Sequence, residues 1–76
     1  METRINREAF DAELMRAKMS VATLAARMGY ESASTLYRKL DNDGSQLTLK
    51  DVQSIVDILG TQFTTAMSIF FPQYVA

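Results

Sequence analysis

Residues 23–40 read TLAARMGYESASTLYRKL, two helical stretches separated by a glycine and a short polar run. Val21, Leu24, Ala25 and Met28 fall on one face of a helix that Ser20 can cap, its hydroxyl accepting from a free first-turn amide. Gly29 stands where such a helix stops, because glycine enters the left-handed conformation at little steric cost. Ser32 is the next good cap, and a third helix is predicted from about Ala33 to Leu40 with Leu36 and Leu40 facing inward. Roughly three residues separate the two helices, a spacing that sets them at a large mutual angle, and the small Ala25 allows them to approach closely.

The same punctuation runs outward in both directions. Asn6 can cap a first helix reaching about Lys18, with Phe10, Leu14 and Ala17 inward and Ile5 as a staple before the cap. DNDGSQ (41–46) has the composition of a turn. Thr48 and Asp51 resemble a capping box for a fourth helix that Gly60 closes, with Leu49, Val52, Ile55, Val56 and Leu59 as its apolar stripe. A fifth short helix is expected from about Thr64 to Phe71, stopped by Pro72. The expected fold is all-α, with four to five short helices and a core that includes Leu24, Leu36, Leu40, Val52, Ile55 and Leu59.

Composition narrows the chemistry. The 76 residues suffice for one domain, and they contain no cysteine and no histidine. That removes thiolate metal sites, the commonest metal ligand and the usual general base near neutral pH. The expectation is no enzyme activity, no metal and no cofactor. METRINREAF carries mixed charge and no apolar core, so it does not read as a signal peptide, and no stretch is long enough to span a bilayer. A cytoplasmic location and no membrane partner are expected. The net charge is −1, but it is unevenly spread. Between Arg16 and Lys39 lie Arg16, Lys18, Arg27, Arg38 and Lys39 against Glu31, a local +4 between two acidic flanks. Such a segment can attract phosphate even in an acidic chain.

From Leu14 to Gly60 the chain resembles the Cro- and repressor-type helix-turn-helix family, the lambda-repressor-like domains of small phage and bacterial regulators. The resemblance is carried by TLAARMG (23–29), STLYRKL (34–40) and the packing helix LTLKDVQSIVDILG (47–60), in the family's order. In one departure, Gly29 lies seven residues before Leu36, where the family pattern has six. The resemblance implies a helix-turn-helix DNA-binding domain over 1–62, a double-stranded operator as partner, a homodimer at least on DNA, and a bacterial host cytoplasm. No small-molecule ligand is implied. On a helical wheel with Leu36 inward, Ser34 and Arg38 fall nearly opposite and Thr35 flanks them. Arg38 is the candidate for base readout, its fork matching guanine O6 and N7, with Ser34 and Thr35 near the helix start as further base contacts. Tyr37 and Lys39 at the sides, Ser20 at the second helix's start, and Arg27 and Lys18 are the candidate backbone contacts. Taken alone, Arg38 and Lys39 read more readily as a solvated helix end, and it is the flanking framework that turns the reading of Arg38 toward DNA.

The segment 63–76 holds Phe63, Met67, Ile69, Phe70, Phe71, Tyr74 and Val75, more apolar groups than one short helix buries. It is expected either to cap the core or to form a dimer contact through Phe70, Phe71 and Tyr74. An alternative function follows from it: a protein-binding module, antirepressor- or antitoxin-like, acting through this segment.

Overall fold

Four helix starts are set by side chains that accept hydrogen bonds from first-turn amides. In the computed structural model, which describes residues 5–44 and 46–74 and only the backbone of Asn42 and Asp43, five α-helices follow one another. They are α1 (Arg7–Arg16), α2 (Val21–Arg27), α3 (Ala33–Gly44), α4 (Leu49–Leu59) and α5 (Phe63–Phe70), with a 3-10 turn over Pro72–Tyr74. No strand occurs among the described residues.

Asn6 Oδ1 accepts from the Ala9 amide at 3.1 Å, and Ser20 Oγ from the Thr23 amide at 3.1 Å. Ser32 Oγ accepts from the Ser34 amide at 3.1 Å. Thr48 and Asp51 form a full capping box, each side chain accepting from the other's amide. Each cap satisfies an amide that a helix start would leave unpaired, worth about 1 kcal/mol apiece.

The core gathers apolar positions from every helix: Phe10 and Leu14 of α1, Leu24 and Ala25 of α2, Leu36 and Leu40 of α3, Ile55 and Leu59 of α4, Ile69 and Phe70 of α5. The α2–α3 pairing is the most extensive between helices, and Ala25 of α2 is almost wholly buried. Asn6 donates its amide to the Ile69 carbonyl at 2.7 Å, tying the start of α1 to α5.

Several boundaries differ from those expected. The first helix ends at Arg16, because Lys18 turns left-handed at φ 56° and the Met19 amide closes back on the Leu14 carbonyl at 3.0 Å. The third helix does not stop at Leu40. Asp41, Asn42 and Asp43 continue it, and Gly44 at φ 74° ends it. Short polar residues serve a helix's last turn as well as a loop, so composition could not separate the two. Met28 and Val52 are half-buried, and Leu49, expected on the apolar stripe, is largely exposed. Ser45 of the expected turn and Val75 of the apolar tail lie outside the described residues.

Candidate nucleic-acid interface

Helix α3 is amphipathic: Leu36 and Leu40 are buried, and Ser34, Tyr37 and Arg38 are exposed. Ser34 and Arg38 stand one turn apart on the outer face. Thr35 is half-buried beside them. Arg38 makes no ion pair among the described residues, and neither do Lys18 and Arg27, both exposed. Ser20 is exposed, its hydroxyl 3.0 Å from that of Thr23 as well as capping α2.

Lys39 is placed differently from the rest of this group. Its ammonium donates to Asp51 Oδ2 at 2.8 Å and lies 5.6 Å from the centroid of the Tyr30 ring. The Tyr30 hydroxyl donates to the other carboxylate oxygen, Oδ1. A side chain held in this way is not extended toward solvent, so Lys39 is an internal anchor and not the backbone contact expected of it. Arg16 is committed as well. It forms a two-pronged pair with Glu13 at 2.9 and 2.7 Å and donates to the Leu59 carbonyl at 2.7 Å, at the C-terminal end of α4. The Thr61 hydroxyl also donates to Glu13, at 2.7 Å.

These two clusters change the electrostatics of the cationic segment. Glu13 and Asp51, from the acidic flanks, neutralise Arg16 and Lys39 directly. What remains is Lys18, Arg27 and Arg38 against Glu31, a net +2 where the sequence shows +4. The helix pair Glu13/Arg16 is visible in the sequence at a spacing of three. The contacts to Thr61, Leu59 and Asp51 span long separations along the chain and leave no local signature.

Both carboxylates are buried and ionised. The Arg16 guanidinium lowers the Glu13 carboxyl, overcoming burial, with help from Thr61. Burial pushes Asp51 up, but hydrogen bonds from Lys39, Thr48 and Tyr30 outweigh it and hold the carboxyl at about 2, against an ordinary 3.8. Both groups release protons more readily in the fold than in the unfolded chain. Their stabilisation is therefore full above the ordinary carboxylate range and lost as pH falls through it, for Asp51 between about 4 and about 2. Asp51 accounts for about 2 kcal/mol of this. With no histidine in the chain, no side chain with an ordinary pKa near 6.5 contributes a slope near neutrality. Urea midpoints are expected to stay level from pH 6 to 7.5 and to fall steeply below about pH 4. Asp51→Asn should flatten part of that acid limb, and a midpoint that rises on acidification would contradict the assignment.

In the tail the three expected contact residues part company. Phe70 is 1% exposed, its ring meeting Phe10 edge-on at 6.5 Å between centroids, so it is core and cannot be a dimer contact. Phe71 is half-buried in an apolar groove with Leu47, Leu49 and Val52, and Tyr74 is 59% exposed. Among the described residues no cluster of His, Cys, Asp or Glu could hold a metal, and no helix is long and apolar enough to cross a membrane. Comparison with known proteins returned no match, whether to a family model, a curated protein or a solved structure.

Proposed function

We propose that this chain is a sequence-specific DNA-binding regulator of the Cro/repressor helix-turn-helix kind, laying α3 in the major groove of an operator. The observation that carries the reading is the division of α3. Leu36 and Leu40 are buried and Lys39 is held inward, while Ser34 and Arg38 are exposed on the opposite face. Arg38 reads a guanine edge, Ser34 and Thr35 touch neighbouring bases, and Tyr37, Ser20, Arg27 and Lys18 meet phosphates. Lys18, Arg27 and Arg38, the cations of this segment with no ion pair among the described residues, make a thin electrostatic footprint, which favours a homodimer on two half-sites, with Tyr74 and Phe71 as its apolar contact. Regulation is by occlusion, with no catalytic step.

Selection of bound sequences from random duplexes at two salt concentrations tests this directly. A consensus with two half-sites should emerge, and affinity should fall by about 0.9 log units per log unit of salt for each phosphate contact. Arg38→Ala should weaken operator binding by about 1–3 kcal/mol and relax preference at one base pair. Lys39→Met should leave the salt slope unchanged, whereas Arg27→Met should make it shallower by about one contact. Operator affinity equal to the parent's in Arg38→Ala would reject Arg38 as the reading residue.

The second reading, a protein-binding module, draws on Phe63 and Tyr74, both largely exposed in the C-terminal segment. It expects weak, featureless DNA binding and a stable heteromeric complex instead.

A further inference from the structure

An apolar stripe alone is a poor guide to how a helix is rolled about its own axis, because hydrophobic contact has no direction. On α3 that stripe is Leu36 and Leu40. Lys39 is one step of about 100° round the helix from Leu40, and Arg38 is one step further. A bond that holds Lys39 to α4 therefore favours one roll of α3, and with it one aim for Arg38. The bond ends on a carboxylate that is itself immobilised. Asp51 Oδ2 accepts from the Thr48 amide at 3.0 Å, and the Asp51 amide donates to Thr48 Oγ1 at 3.1 Å, locking the side chain to the first turn of α4. Tyr30, in the turn between α2 and α3, donates to Oδ1 of the same group. One carboxylate thus joins the interhelix turn, α3 and α4, and it is largely shielded, its side chain 10% exposed against 23% for Lys39. Charge-assisted hydrogen bonds are shorter and stronger than neutral ones, and here three of them converge on one immobilised carboxylate.

We propose that Asp51 is a positioning residue that sets the roll of α3 against α4, through Lys39 and Tyr30, and thereby the sequence preference of the outer face. It does not touch DNA. The consequence for sequence preference rests on the DNA-binding reading above; the consequence for helix orientation does not.

The test uses the full chain, as the parent, Asp51→Asn and Lys39→Met. Asp51→Asn keeps an oxygen for the Thr48 amide and loses the charge. Lys39→Met leaves the whole capping box in place, so it carries the test if Asp51→Asn fails to fold. Amide residual dipolar couplings are measured without DNA, and binding is measured to the selected operator and to a random duplex of equal length. In either variant, α3 couplings should depart from the parent's while those of α1 and α4 keep their mutual fit. The ratio of operator to random affinity should drop about tenfold, with random binding altered by less than about twofold. Unchanged α3 couplings in a folded variant overturn the proposal. So does an equal loss on both duplexes, which is what simple destabilisation gives. A parent that selects no sequence would sink the DNA reading, and the couplings would still decide the orientation.

Discussion

Phe70→Ala is expected to remove a large share of the protein's stability. The side chain is 1% exposed and packs edge-on against Phe10, itself wholly buried, at the junction of α1 and α5. Truncating a ring in such a place costs about 3–5 kcal/mol, the lost transfer energy plus a cavity that its neighbours cannot fill. At about 0.05–0.15 kcal/mol per residue, a domain of this length has about 4–11 kcal/mol in total. The midpoint of thermal unfolding, followed by circular dichroism, should fall by about 10–40 °C. Tyr74→Ala provides the contrast. At 59% exposure it should move the melt of dilute protein far less than Phe70→Ala does, and on the proposed homodimer reading its effect should appear in the association constant from sedimentation. A Phe70→Ala protein that melts like the parent but no longer self-associates would return Phe70 to the surface and refute its core placement.

The difference between Phe70 and Tyr74 shows which kind of information the sequence carries. Helix starts were legible because a cap is chemistry between residues two or three apart, and Asn6, Ser20, Ser32 and Thr48 all cap where they were expected to. The inward face of α3 was legible for the same reason, through the spacing of Leu36 and Leu40. In the tail Phe70 and Phe71 are adjacent and Tyr74 lies past the helix-stopping Pro72, so no single period marks which of the three turns inward. The charges failed more instructively. Counting cations along the segment treats each as available, whereas Arg16 and Lys39 are taken up by Glu13 and Asp51. Lys39 and Asp51 are 12 residues apart, and Arg16 reaches a carbonyl 43 residues away. Pairings at that range are products of the fold, and they decide which side chains of a nominally basic surface can reach a phosphate.

Gly44→Ala is the other large effect expected, and two terms contribute to it. Gly44 ends α3 at φ 74°, where an L side chain is strained by about 1–2 kcal/mol. An added Cβ would also stand 2.9 Å from Ile5 Cγ2, 3.0 Å from Ile5 Cβ and 3.2 Å from Leu47 Cδ1. A rotamer change cannot clear the second of these, because Ile5 Cβ is fixed to the backbone. That backbone is held in turn by the hydrogen bond from Asn6 to Ile69. Overpacking of this kind adds about 1–3 kcal/mol, for a total of about 2–5 kcal/mol. Gly60 separates the terms. Its φ of 65° is nearly the same, but a Cβ there meets nothing within 4 Å, so Gly60→Ala should cost the conformational part alone. The excess of Gly44→Ala over Gly60→Ala in urea unfolding then measures how firmly the end of α3 is closed against the start of α1. Equal losses would mean that Ile5 and Leu47 yield freely. The C-terminal end of α3 would then be held only by its own helical bonds, leaving Leu36, Leu40 and the Lys39–Asp51 pair to orient it.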